Sequence, residues 1–273
     1  MKKNKSLLLS GPYILFMVIF TLIPLGVVLY YALTDVETGQ FTFSNVQNLV
    51  LYLPAFWRSM VYSFISALIC LLIGYPVAYF MAHCKATTQK FLYMLVMLPM
   101  CMSFLLRTLA WVGLLQDTGI INNFLAGLGL PRLQLIRTPG AVILGMVYNY
   151  LPYMILPLYS IIVKIDHRLI EAAEDLGCNS PRVFAKVILP LSMPGILSGM
   201  TMVFVPAVST FYISNKLGST EIVLIGDIIE RQFKQGDNAN MGAALSLLLM
   251  VLVFVCTGII NRFGSDEEGA VIV

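Results

Sequence analysis

The sequence predicts an all-helical membrane protein, and three observations carry that reading. Hydrophobic residues make up 59% of the 273 positions and charged residues only 11%, with a mean hydropathy of +0.86; a soluble domain has about a quarter of its residues charged. The apolar residues gather into six stretches long enough to cross hydrocarbon, which takes about 20 residues each. Lys and Arg fall mainly between those stretches, and they are more frequent in one alternate set of connections.

The six stretches are 12–33, 60–83, 91–115, 139–163, 191–214 and 241–262. The first follows Lys2, Lys3 and Lys5. Its apolar run is too long for the core of a signal peptide, and Tyr30-Tyr31-Ala32-Leu33 offers no small-x-small cleavage site, so an uncleaved first span is expected. With the N-terminus inside, the cytoplasmic side holds Lys2, Lys3, Lys5, Lys85, Lys90, Lys164, Arg168, Arg182, Lys186 and Arg262. The outer side holds the smaller set Arg58, Arg132, Arg137, Lys216, Arg231 and Lys234, so both termini are placed in the cytoplasm. Arg107 lies within the third stretch and must face protein or snorkel outward, as an anchor or a partner for Asp117.

Of the outer connections, Gly119–Pro131 and Ile225–Phe233 read as short amphipathic pieces, and surface lids and plain loop packing both fit them. The tail Asp266-Glu267-Glu268 reads as a solvated end. The fourth and fifth stretches carry Tyr148, Asn149, Tyr150 and Tyr153, then Thr201, Ser209, Thr210 and Tyr212, with Pro152, Pro157, Pro194 and Pro206 as expected break points. Aromatic faces and hydroxyls hold an ammonium by cation-π and dipole contacts; interhelical packing and hydrogen bonding account for the same residues equally simply.

Several function classes are disfavoured. The formal charge of +3 sits at helix ends and reports orientation, not nucleic-acid binding. Cys70, Cys84, Cys101, Cys178 and Cys256 are scattered, giving neither a disulfide framework nor a zinc pattern. His83 and His167 have no metalloprotease spacing, so no metal or other cofactor is expected. No G-x-x-x-x-G-K-[ST] phosphate loop occurs, so nucleotide binding belongs to another chain. A proton- or sodium-coupled carrier would show intramembrane carboxylates or paired repeats, and a membrane enzyme would need clustered acid and base residues.

The connection 164–190 is the longest charged interruption. Asp166 is placed to cap a helix whose Leu169, Ile170, Ala173 and Leu176 form one apolar stripe, with Glu171, Glu174 and Asp175 off it. Gly177 stands where a helix needs a left-handed terminating residue. Ser180-Pro181 is expected to open a second helix that turns Val183, Phe184 and Val187 inward before Leu189-Pro190. Ala172 and Ala173 leave room for a partner's groove to approach closely.

Glu171-Ala172-Ala173, three residues, Gly177, nine residues, Val187, one residue and Leu189-Pro190 resemble the EAA loop of permease subunits of binding-protein-dependent ABC importers. Val187 departs from the isoleucine usual there. Over residues 11–262 the chain is similar to the spermidine/putrescine B-type permeases, through Gly74-Tyr75-Pro76-Val77-Ala78-Tyr79, Leu156–Ile162, Met193-Pro194-Gly195-Ile196, Val205-Pro206-Ala207 and Phe211-Tyr212-Ile213-Ser214. The resemblance implies a type I ABC importer permease of MetI-like fold in the bacterial inner membrane, with 1–273 as one permease domain and 164–190 as its cytoplasmic coupling loop. It also implies the partners: a C-type second permease, a twin ATPase and an extracytoplasmic polyamine-binding protein, in a lipid bilayer and without nucleic acid. In such a permease Glu171, Ala172, Ala173, Gly177, Leu189 and Pro190 couple to the ATPase. Tyr148, Tyr150, Tyr153, Thr210 and Tyr212 then become candidates for the substrate pathway. Asp117 and Asp237, with Glu221, Asp227 and Glu230, become candidates for drawing a polycation to the outer mouth; simple solvation or contact with the binding protein fits them equally. Permeases for iron, sulfate or phosphonate share the loop.

Overall fold

The computed structural model describes residues 11–35, 39–234 and 238–268. Among them the chain is helical throughout apart from turns and a single bridge, Thr34 with Phe41. Asp237 and the amino-terminal lysines lie outside the described residues.

Six helical runs are long and apolar enough to cross a membrane: Tyr13–Ala32, Ser44–Ala82, Phe104–Gly127, Pro139–Ile162, Ser180–Val208 and Ala239–Ile260. The elements that matter below are α1 (Gly11–Met17 and Ile23–Ala32, joined by a π turn), α2 (Leu53–Ala82), α3 (Ala86–Met97), α4 (Phe104–Leu115), α5 (Ile120–Gly127) and α6 (Pro139–Ile162). They continue with α7 (His167–Asp175), α8 (Ser180–Val183), α9 (Met193–Val208), α10 (Tyr212–Leu217), α11 (Ile225–Lys234) and α12 (Ala239–Glu268).

The third expected span is corrected. Residues 91–115 are not one helix: α3 tightens into a 3₁₀ turn at Leu98–Cys101, Met102 and Ser103 are extended, and α4 starts afresh at Phe104. Pro99 has no N–H to continue the ladder, and hydropathy does not register the break because the flanking residues are equally apolar. Pro152 and Pro157 are corrected in the opposite sense, since α6 runs through both without ending. A spanning helix packed among others carries prolines that would break an isolated one. Pro194 lies in the first turn of α9, which tolerates it, and Pro206 lies inside α9 just before its end at Val208.

The chain forms two compact units. The first comprises residues up to Pro54 together with Ile228–Leu252. There the Thr34 carbonyl accepts from Asn45 Nδ2 at 2.9 Å and Asn240 Nδ2 at 2.6 Å, so two side-chain amides from distant segments hold the end of α1. Ala32, Ala243 and Ala244 form a small apolar cluster beside that knot.

The second unit, Ala55–Asp227 with the chain from Val253 onward, holds the main core. Its centre is α6, whose Val142, Met146, Met154 and Leu158 are fully enclosed. Helix α9 lies closely along it because Gly199 exposes bare backbone: a Cβ there would sit 2.6 Å from Met154 Sδ and 3.3 Å from the Met154 carbonyl oxygen. At α5, Asn122 closes the following loop, accepting from Leu133 N–H at 2.9 Å and donating to the Leu133 carbonyl at 2.9 Å. The amphipathic pieces expected at Gly119–Pro131 and Ile225–Phe233 are the helices α5 and α11.

Candidate functional site

Helix α7 is built as its residues require. Asp166 Oδ1 accepts from the Arg168 N–H at 3.0 Å, satisfying a first-turn donor. At the other end Gly177 has φ +81, and two bonds close the helix: Gly177 N–H to the Glu174 carbonyl at 2.8 Å, and Cys178 N–H to the Ala173 carbonyl at 3.1 Å. That pair of bonds is the Schellman motif, in which the residue after the cap must be left-handed.

The helix displays most of its surface. Glu171, Ala172, Glu174, Asp175 and Gly177 are exposed and Ala173 is half-buried. Of the apolar stripe, Leu169 is exposed, Ile170 is half-buried and Leu176 is 86% exposed. Ile170 lines a cavity of about 230 Å³ with Ala82, His83, Ile162, His167 and Ile188, where the roots of α7 meet the ends of α2 and α6.

The second helix of the loop starts one residue earlier than expected. Its cap is Asn179, whose Oδ1 accepts from Arg182 N–H at 3.3 Å, while Ser180 and Pro181 occupy the first turn. Asn is at least as good a cap as Ser. Val183 is buried, and the chain passes through a π turn at Phe184–Ile188 into Leu189–Leu191, with Leu189 half-buried and Pro190 exposed.

Two aromatic residues that the sequence reading left unassigned anchor this segment. Phe184 stacks edge-on against Tyr75 at 5.5 Å and Tyr79 at 5.9 Å, both on α2, and the Tyr75 hydroxyl is 2.8 Å from Ser192 Oγ. The available signal was the i, i+4 spacing of Tyr75 and Tyr79, which puts both rings on one face of α2. These contacts tie the loop to α2. Gln89 adds a second tie, donating to the Ala82 and Cys84 carbonyls at 2.9 Å while accepting from the Tyr159 hydroxyl at 3.2 Å.

The residues expected along the pathway separate into groups. Tyr150 and Tyr153 come together, with their rings 6.3 Å apart, and Tyr150 and Thr210 are both buried. The Tyr150 hydroxyl also donates to the Pro206 carbonyl at 3.3 Å, which ties α6 to the end of α9. Tyr148 packs instead against Trp111 of α4 at 5.3 Å. Tyr212 lies between Phe104 and Lys216, whose Nζ is 5.9 Å from the ring centroid. Asp117 is exposed in the turn after α4, and no ion pair joins it to Arg107 among the described residues. Arg107 does not snorkel: it is buried within the protein.

Comparison with known proteins agrees with this architecture. The chain is 39% identical over 246 residues to the spermidine/putrescine transport system permease protein PotB of Haemophilus influenzae, covering 87% of this chain and 86% of that one. It is 37% identical over 217 residues to the PotB protein of Escherichia coli K12, covering 78% and 79%. In structure it resembles a chain of a bacterial ABC transporter that imports the acidic polysaccharide alginate, with TM-score 0.81, 18% identity and coverage of 97% and 96%. It also resembles a chain of the inward-facing MetNI methionine ABC transporter, with TM-score 0.62, 18% identity and coverage of 80% and 97%. Residues 74–265 match the model of the binding-protein-dependent transport system inner membrane component, a span that contains the Schellman-closed loop and all of α6 and α9, and the chain belongs to that family of multi-pass inner-membrane permeases.

Proposed function

We propose that this permease is one half of the translocation pathway of an ATP-driven polyamine importer, taking spermidine and putrescine, and that all of 1–273 acts as one permease domain driven through residues 164–190. The names of the relatives at 37% and 39% identity support the solute class. The observation that supports the drive is a helix rigidly closed at both ends that leaves Leu176 86% exposed. An apolar side chain held this far out on a capped helix suits insertion into a groove on a soluble partner.

In this reading Glu171, Ala172, Ala173 and Gly177 sit in a cleft of the ATPase dimer, with Leu189 and Pro190 returning the chain to the membrane. Closure of the dimer moves α7, the Phe184 contact carries that movement to Tyr75 and Tyr79, and the inner ends of the spans draw together. The other half of the pathway is a C-type permease, and an extracytoplasmic polyamine-binding protein delivers the solute. Tyr148, Tyr150, Tyr153, Thr210 and Tyr212 provide rings and hydroxyls for ammonium groups. Asp117 and Asp237 raise the local cation concentration at the outer mouth.

The test is reconstitution with the two permeases, the ATPase and the binding protein in vesicles. ATP-dependent accumulation of labelled spermidine is expected. Accumulation of iron, sulfate or a phosphonate instead would overturn the solute class and leave the coupling reading standing. Leu176→Asp is expected to weaken retention of the ATPase on the purified permeases by about tenfold or more, the loss of one buried anchor at an interface. Unchanged retention would overturn the docking role.

A further inference from the structure

Helix α5 is built inside out for a helix in water. Its fully enclosed side chain is polar: Asn122 donates to the Gln116 carbonyl at 3.2 Å and the Leu133 carbonyl at 2.9 Å, and accepts from the Leu133 N–H at 2.9 Å. The opposite side carries Ile120 and Phe124, each 68% exposed, and Leu128, just past the last turn, is 62% exposed. A spacing of four residues is close to one helical turn, so these three project together, away from Asn122. A helix in water places its apolar side chains inward and its polar ones outward. The orientation of α5 is also fixed. A Cβ on Gly119 would meet the carbonyl oxygens of Leu114, Gly113 and Gln116 at 2.6, 2.7 and 2.8 Å, so α5 leaves α4 at a close turn and does not prolong it. Beyond the loop, the Arg137 N–H donates to the Leu217 carbonyl at 2.9 Å just before α6 begins.

We propose that α5 lies along the outer boundary of the bilayer, with Ile120, Phe124 and Leu128 set among the upper parts of the lipid chains. The outer side follows from the distribution of Lys and Arg. Three observations select lipid as the occupant of this face. First, α5 begins where the spanning helix α4 ends, and α4 itself exposes Leu105, Leu106 and Leu109, in a chain whose family is an inner-membrane component. Second, no Asp, Glu, Lys or Arg occurs from Thr118 to Pro131, while exposed Asp117 and Arg132 stand at the two ends. A docking face for a soluble protein carries a polar rim around its apolar centre. A segment seated at headgroup depth is instead uncharged through its middle and charged where it emerges. Arg132 is placed to reach lipid phosphates, with its stem along apolar surface. Third, both backbone groups of Leu133 are satisfied by the Asn122 side chain and do not rely on solvent. Irregular backbone next to hydrocarbon must find its partners within the protein. The helix thus braces the outer ends of α4 and α6 against the plane of the membrane. The inference needs the family's membrane placement and no particular solute or partner permease.

The experiment uses the full complex in vesicles of phosphatidylethanolamine and phosphatidylglycerol. The photoreactive residue benzoylphenylalanine is placed at Phe124 or, as a control, at Asp117, and the products of irradiation are identified by mass spectrometry. A phospholipid adduct is expected as the main product at Phe124, in about fivefold or greater excess over the control, because only the first position faces the acyl region. A main product joining Phe124 to the second permease, to the binding protein or to another part of this chain overturns the proposal. Equal lipid adduct at the two positions, or none at Phe124, overturns it too. A second measurement is independent of photochemistry. Phe124→Cys and Asp117→Cys complexes are treated from outside with a membrane-impermeant maleimide, and reaction is scored above that of the unmodified complex. The thiol at Phe124→Cys is expected to react about tenfold more slowly, since the reactive thiolate forms in water. Equal rates overturn the proposal, and an unreactive Asp117→Cys overturns the placement on the outer side. Neither readout depends on transport, so a wrong polyamine assignment would leave both intact.

Discussion

At Gly177 the backbone is held at φ +81, a conformation that a β-branched residue adopts only under strain. The Schellman pair through Gly177 and Cys178 depends on it. Gly177→Val is therefore expected to cost about 1–3 kcal/mol locally, enough to open the end of α7 while the membrane helices remain folded. ATP hydrolysis by the assembled complex should then continue with little solute accumulated; normal accumulation per ATP would show that the turn is not a coupling element. Gly177 and the Asp166 cap were both legible in the sequence, because a turn that demands one residue type announces itself. The second cap was displaced by one position, since Asn179 and Ser180 are both competent caps and only the reach of Asn179 Oδ1 to Arg182 N–H decides between them. The expected Arg107–Asp117 pairing failed for a different reason. Charge and nearness along the chain do not say that Asp117 lies past the end of α4, facing outward.

Among the elements, the apolar stretches overlapped every crossing, although the third runs over Phe104–Gly127 and not 91–115, and they did not show the interruptions. The break at Met102 and Ser103 is invisible to hydropathy, and the persistence of α6 through Pro152 and Pro157 is invisible to propensity. Both outcomes are decided by neighbours: α6 is mostly buried among the helices packed around it, whereas Cys101, Met102 and Ser103 are exposed. The α6–α9 contact has a sharp local requirement at Gly199. Adding a side chain there forces atoms against the Met154 side chain and backbone, an overpacking that costs about 1–3 kcal/mol. Gly199→Val is expected to lower the thermal unfolding midpoint of the purified complex, measured by the unmasking of buried cysteine Cys70 to a thiol-reactive dye. An unchanged midpoint would mean that α9 shifts aside without penalty.

For the molecule as a whole, composition alone fixed the class, and the order of spans and charged connections fixed the plan of the fold. The partition into two compact units was not legible, because hydropathy assigns a segment to the membrane without saying which segment it touches. Asn45 and Asn240 show the difficulty: they are far apart in sequence and share one carbonyl, that of Thr34. The geometry of the loop 164–190 was legible because it is local, with its caps and turn all within one short connection. The residues proposed for the pathway were legible only as residue types. The sequence indicated that rings and hydroxyls cluster on the fourth and fifth spans; it could not indicate that the Tyr150 hydroxyl reaches the Pro206 carbonyl while Tyr148 turns to Trp111.

The uninterrupted course of α6 has one more effect. Each proline withholds the N–H that would have met the carbonyl four residues earlier, so Pro152 and Pro157 leave the oxygens of Tyr148 and Tyr153 without their regular helical donors. Two backbone carbonyls of an oily rod are thus released from its regular ladder, as acceptors that no change of pH can protonate away.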